Sequence, residues 1–425
     1  MKSRGTVKSS IRDWLLVLLY VLGIAGYPLV APLPLMFEVD SRIVTVPFRG
    51  LFLAIALVVF LSMIRRRDTI YTGQFWWPYS IFWGIYIARL LVDTLISPIP
   101  LRLPVEEYYL LVFGLVLLPT NAFFSVLKPV ANRSAIFATL VLSVLACLAT
   151  YYLGIDTLVS GSVGRLGTET LNPISFGYLG ATVVLLASFI LLRLELRTHL
   201  GKVLLLGSIA LGLLSVGLAG SRGPLAALVV TVLVLVGHAV RQTSMRHAAA
   251  FSLVLIASVV VALPYVVEMG SGIVERIEMT GTGLDPSDED RFWLWRIAWA
   301  AFLDNPLLGN GIEPASVGFY PHNIVLEAYM ATGFVGGCLL LFMLVYVGKR
   351  ALDLLSLNPG YGWIGLLYIQ QVVAAIFSGS IYGSTGVWYL MAAVVSAERT
   401  HRSLKAQRSR TQVDLPMNGR RPIGV

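Results

Sequence analysis

Charge is scarce in this chain: 13% of its 425 residues are Asp, Glu, Lys or Arg, while 57% are hydrophobic. A soluble globular domain carries roughly twice that charged fraction, about 25%, so a water-soluble enzyme or binding module is excluded. Cysteine is scarcer still, with only Cys147 and Cys338, each inside an apolar run. That excludes a disulfide framework and leaves both as small packing residues. No Cys/His spacing suits a metal, no glycine-rich Walker loop is present, and no serine sits in a nucleophile elbow. The expectation is therefore no metal and no cofactor. Sustained apolar/polar alternation is also missing, which excludes a strand barrel and leaves helices.

What the chain has is long apolar runs, with a mean hydropathy of +0.79. They recur at about 17–20 residues, the length that crosses a bilayer as helix. About twelve spans are predicted, near 13–31, 48–64, 75–96, 105–119, 134–153, 173–192, 203–219, 224–240, 248–267, 326–347, 361–379 and 382–397. The first is read as retained, because it lacks a small-residue cleavage site. The net charge of +9 belongs to short loops and tails and argues for topology, not nucleic acid. With both termini inside, Lys2, Lys8, Lys128, Lys202, Lys349 and Lys405, every lysine in the chain, fall on the cytoplasmic side. The division is 1–267 with nine spans, 268–325 as one long external loop, 326–397 with three spans, and 398–425 as a basic cytoplasmic tail expected to be disordered.

The external face holds arginines and acids but no lysine. His322, in Pro321-His322-Asn323, is the one external histidine of five, and histidine moves protons near neutral pH. A packing or capping histidine is the plainer alternative. Arg222 lies in Gly220-Ser221-Arg222-Gly223 between apolar runs, where a guanidinium needs water, headgroups or a ligand. Arg291 and Arg296 flank Phe292-Trp293-Leu294-Trp295. Ser287 with Asp290 reads as the start of a helix there, with Phe292, Trp295, Trp299 and Phe302 on one face suited to a membrane interface. About 140° separates Arg291 from Arg296 around such a helix, which favours Arg291 for a site and leaves Arg296 more structural. The helix should stop at Asp304-Asn305-Pro306 and turn at Gly309-Asn310-Gly311. Arg165 sits in a Gly/Thr/Asn-rich loop on the same side. Arg89 and Asp93, one turn apart inside a span, read first as an internally neutralised pair. Arginines in number, with a histidine, suit an anionic group such as phosphate.

Ser221-Arg222-Gly223, Arg291 before an aromatic helix, Asn305-Pro306-Leu307-Leu308-Gly309-Asn310-Gly311, Pro321-His322-Asn323 and Glu327, in that order, resemble the O-antigen ligase and polymerase superfamily. The stretch 165–173 is similar too. The resemblance implies an all-α polytopic membrane glycosyltransferase of the GT-C type, in the bacterial inner membrane with its active site on the periplasmic face. It implies a glycan donor on undecaprenyl pyrophosphate and, for a ligase, a lipid A–core acceptor. In the implied roles Arg222 and Arg291 bind the pyrophosphate and His322 is the base. Arg165, Arg296, Asn323 and Glu327 make up the substrate-binding set. A polymerase joining lipid-linked repeats, and a twelve-span transporter coupled through Arg89 and Asp93, are the competing readings. One dominant external loop, instead of two matched ones, favours the ligase.

Overall fold

The computed structural model describes residues 11–65, 75–125, 127–160, 165–194, 198–242, 286–357 and 360–413. Among them every regular element is a helix. In chain order these are α1 (Ile11–Val30), α2 (Leu33–Phe37), α3 (Ser41–Arg65), α4 (Trp76–Ile96), α5 (105–123) and α6 (Pro129–Ser160). They continue with α7 (Pro173–Arg193), α8 (His199–Leu218), α9 (Arg222–Gln242), α10 (Pro286–Asp304), α11 (Ile324–Leu357), α12 (Gly362–Ser378) and α13 (Thr385–Val413). Eight of the described helices are long and apolar enough to cross a membrane. The expected twelve are not reached. The run near 105–119 becomes α5, which is partly π-helical, and α12 is a shorter apolar helix of 17 residues. The run at 248–267 lies outside the described residues. Of the tail expected to be disordered, α13 covers the part up to Val413, with Glu398 taking ion pairs from Arg350 and Arg402, and residues 414–425 lie outside the described residues.

The centre of the bundle is α7, in which every residue from Leu179 to Ile190 is buried. A helix apolar on all sides needs neighbours on all sides, and α6, α8, α9 and α12 supply them. The helix α12 packs in turn on α11 and α13. The external ends of α7, α9 and α12 therefore meet.

The long external loop does not lie on the surface as a simple connector. α11 is broken at Gly333, whose φ of 67° and ψ of −167° are open only to glycine. Segment 305–311 fits into that break: Phe334 N donates to Pro306 O at 2.7 Å and Asn310 N to Met330 O at 2.8 Å. The interrupted helix thus finds partners for its backbone, as groups at membrane depth require. Arg89 and Asp93 hold the same loop. Arg89 Nε donates to Asp93 Oδ1 at 2.8 Å, Asp93 Oδ2 accepts from Ile312 N at 2.7 Å, and Arg89 reaches Gly309 O at 3.4 Å. The pair is neutralised internally, as its spacing suggested, and it also serves as the loop's anchor. A Cβ on Gly333 would lie 2.3 Å from Leu307 O. Gly333→Ala is therefore expected to cost about 1–3 kcal/mol from backbone strain before any clash is counted. Thermal unfolding of the purified protein checks this, and an unchanged midpoint would refute the inserted-loop geometry.

Candidate active site

Three segments carry the external polar residues to one place. In the first, Arg165 Nε donates to Ala219 O at 3.1 Å and Leu166 N to Leu218 O at 2.8 Å, so this stretch lies along the end of α8. Asn172 then caps α7, its Oδ1 accepting from Ser175 N at 2.9 Å with Pro173 at the first helical position. In the second, α8 ends at Gly220 with a left-handed φ of 54°, and Arg222 opens α9. Arg222 thus stands at the first position of α9, the positive end of the helix dipole. This start of α9 packs against Tyr178 of α7: a Cβ on Gly223 would lie 2.8 Å from Tyr178 Oη. In the third, the Trp295 indole N–H donates to Pro321 O at 2.9 Å, which ties α10 to the residue before His322.

Within α10, Leu294, Ala298 and Phe302 are buried, while Phe292, Trp293 and Trp299 are exposed. The expected aromatic face is thus divided. Packing on α11 turns Trp295 and Phe302 inward and leaves Phe292 and Trp299 on the outer side. Arg291 lies on the inner side, half-buried, and Arg296 is exposed. The helix begins at Pro286, one residue ahead of the expected cap, and ends at Asp304 as expected.

His322 has a φ of 55°, uncommon outside glycine. Its neighbours hold it there. Asn323 caps α11, with Oδ1 accepting from Val325 N at 3.0 Å and Leu326 N at 3.1 Å. The rings of Phe319 and Tyr320 lie 5.1 and 4.4 Å from the imidazole. The imidazole lines a cavity of about 310 Å³ together with Asn172, Tyr178, Tyr320, Gln371 and Ser378. The ring bonds to the main chain of Ser378, while Nδ1 is buried with no hydrogen-bond partner among the described residues. In a neutral imidazole one ring nitrogen carries the proton and the other keeps a lone pair. Burial, then the charge of Arg291, lowers the His322 pKa from 6.5 to about 4, against the opposing Ser378 bond. The ring is neutral at pH 7 and able to accept a proton. The Arg291 charge also acts on the Tyr178 hydroxyl, which lies 3.3 Å from Ser378 Oγ.

The structure therefore places His322 and Tyr178 on the cavity, with the Arg291 charge acting on both and with Gly223, the residue after Arg222, packed against the Tyr178 hydroxyl. The remaining sequence candidates are engaged elsewhere. Arg165 uses Nε on Ala219, Asn323 uses its side chain as a helix cap, and Arg296 faces outward. Glu327 is fully buried, and its Oε2 accepts from Ile381 N at 3.0 Å, fixing the turn between α12 and α13. A cap of this kind contributes about 1 kcal/mol. Asn323→Ala should lower the unfolding midpoint modestly, and Asn323→Asp should restore it. Loss of activity in both variants at unchanged stability would instead make Asn323 a ligand-binding residue.

Residue-by-residue reading missed Tyr178, Gln371 and Ser378, which sit at the ends of apolar runs with no motif around them. It also missed Glu313, buried and accepting from Tyr108 Oη at 2.6 Å, Tyr382 Oη at 3.0 Å and Arg102 N at 2.9 Å. Arg102 had a signal: alternation of sides puts the link 97–104 on the external face. A second cavity of about 280 Å³ shares Ser175, Tyr178 and Gln371 with the first and continues among Ile24, Leu179 and Leu390.

Residues 207–341 match the family model described as O-Antigen ligase. They form an O-antigen ligase family domain. No curated protein and no solved structure matches the chain. The O-antigen ligase family domain contains Arg222, Arg291, Arg296, His322, Asn323 and Glu327. Arg165, Asn172 and Tyr178 precede it, and Gln371 and Ser378 follow it. The cavity thus lies between the domain and its flanking helices α7 and α12. The domain supports an activity of the O-antigen ligase or polymerase class at a multi-pass membrane protein.

Proposed function

We propose that the protein is an O-antigen ligase of the GT-C type, moving a glycan from undecaprenyl pyrophosphate to the lipid A–core oligosaccharide at the periplasmic face of the inner membrane. The observation that carries this reading is His322 on the lining of a polar cavity, its Nδ1 buried without a hydrogen-bond partner among the described residues and the Arg291 charge acting on its ring, within the segment that matches the family.

A sugar–pyrophosphate bond breaks readily when its leaving group is clamped and an acceptor hydroxyl is deprotonated opposite it. His322 Nδ1 takes the hydroxyl proton as the acceptor oxygen bonds to the anomeric carbon. The bond from that carbon to the pyrophosphate oxygen breaks, and the electron pair leaves with the lipid pyrophosphate. In-line attack inverts the anomeric centre. Arg222 and Arg291 neutralise the departing charge, and Tyr178 lies between them and the Ser378 side. The apolar second cavity continues from the polar one past Tyr178 and Gln371, which suits a substrate with an anionic head and a hydrocarbon chain. Glu327 and Asn323 position the turn at Ile381 and the His322 segment, and Arg165 holds the loop ahead of Asn172. Transport loses its sequence argument, since Arg89 and Asp93 are committed to the 309–312 loop.

The test is a lipopolysaccharide gel of a deletion strain carrying the wild-type chain or His322→Ala, with carrier-linked glycan followed in parallel. Loss of capped lipopolysaccharide while long glycan builds up on the carrier lipid supports the ligase. Core bearing a single repeat means polymerase. An unchanged ladder with well-expressed variant sinks the catalytic reading.

A further inference from the structure

Arg102 stands apart from the motifs and yet belongs to the site. Its link is fixed by the bond from its backbone N–H to Glu313 Oε2 at 2.9 Å. Its guanidinium lies 4.4 Å from the centre of the Phe319 ring and 5.8 Å from that of Tyr320. Those two rings stack at 5.1 Å, and Tyr320 lines the cavity next to His322. The positive charge of Arg102 acts on both Tyr320 and His322. Arg102 is exposed, and no carboxylate of the described residues forms an ion pair with it.

A stacked guanidinium is held in place by its flat face; one side-chain bond goes to Tyr320, and the remaining edge N–H groups of its five are left for a ligand. Two parallel edge donors match the oxygens of a phosphate or carboxylate. The stack also lies on the aromatic pair that leads to His322, so an anion bound there sits at the mouth of the polar cavity. We infer that Arg102 is a third anion-binding residue of the site, taking phosphate or carboxylate oxygens of a substrate at the cavity mouth. Its source is either the carrier pyrophosphate or an acidic group on the acceptor saccharide. The inference rests on the cavity being the transfer site.

The test titrates inorganic pyrophosphate and a hexose phosphate against the purified full-length protein in nanodiscs, comparing wild type with Arg102→Ala, Arg102→Lys and Arg102→Met. The alanine variant should bind at least one of these probes roughly tenfold more weakly, as the loss of a charge-assisted contact predicts. Lysine should fall between, because it keeps the charge and loses the fork. Methionine keeps a stem over Phe319 without charge and should resemble alanine. Wild-type affinity in Arg102→Met, unchanged affinity in all variants, or no binding of either probe by wild type would overturn the inference. Transfer assays then separate the sources. A raised KM for the lipid-linked donor assigns the carrier pyrophosphate. A raised KM for the acceptor, abolished when its phosphate is removed, assigns the acceptor. Arg102-dependent anion binding in a protein that transfers no glycan would sink the proposed function and the assignment of the anion to its substrate, and would leave Arg102 as an anion-binding residue.

Discussion

His322→Ala should lower glycan transfer by roughly 10²–10⁴-fold, the contribution of one positioned general base, with membrane levels close to wild type. The ring makes one main-chain bond and leaves Nδ1 unsatisfied in the cavity. Removing it therefore takes away little that holds the fold. His322→Gln keeps a polar side chain without a basic nitrogen and should be equally inactive. Recovery of activity in His322→Gln would show that the position needs only a hydrogen bond. The pH profile adds a second check. Burial first, and the Arg291 charge next, hold the His322 pKa near 4, so the base form persists well below 6.5. The acid limb of kcat/KM should accordingly lie near pH 4 if His322 is the group that must be unprotonated. The stability consequence has the same sign. Between 6.5 and about 4 the unfolded chain binds more protons at this position than the folded one. The contribution is therefore complete above 6.5 and lost as pH falls towards 4. An acid limb that His322→Gln leaves in place would belong to another group.

Arg291→Gln should cost transfer roughly 10²–10³-fold, the size expected when a preorganised charge is removed from a developing anion. Arg291→Lys should recover part of it, since the charge returns without the bidentate fork. The same substitution tests the electrostatic coupling. Removing the guanidinium removes the second cause of the lowered His322 pKa and leaves burial, the first, in place. The residual activity of Arg291→Gln should then show an acid limb moved upward from about 4 without reaching 6.5. A rate loss with an unmoved limb would separate Arg291 from His322 and place its role elsewhere on the substrate. Arg222→Gln is the matching control at the start of α9. It should lose rate similarly if it neutralises the same leaving group.

The pattern of residues made much of this legible beforehand. Apolar runs longer than a soluble core needs gave the helical membrane architecture, and most described helices fall within a few residues of the expected runs. The Asp304-Asn305-Pro306 stop of α10 follows from proline chemistry within a few residues. Arg222, Arg291 and His322 stood out because charge in an apolar chain has few places to go. Eight of the twelve expected spans are met by length and composition among the described helices: α5 is irregular, α12 is shorter, and the run at 248–267 lies outside the described residues.

Local pattern determined which segments are helical and which arginines and histidine stand outside the apolar runs. Only tertiary structure decided what those residues do. Nothing near Glu327 in sequence reveals that it holds Ile381. Nothing near Tyr178 marks it as lying between α9 and Ser378, and nothing near Arg102 marks Phe319 as its platform. These assignments come from contacts between positions from 45 to more than 200 residues apart. Periodicity and capping report on a few turns of chain. A cavity exists only where separate helices end together.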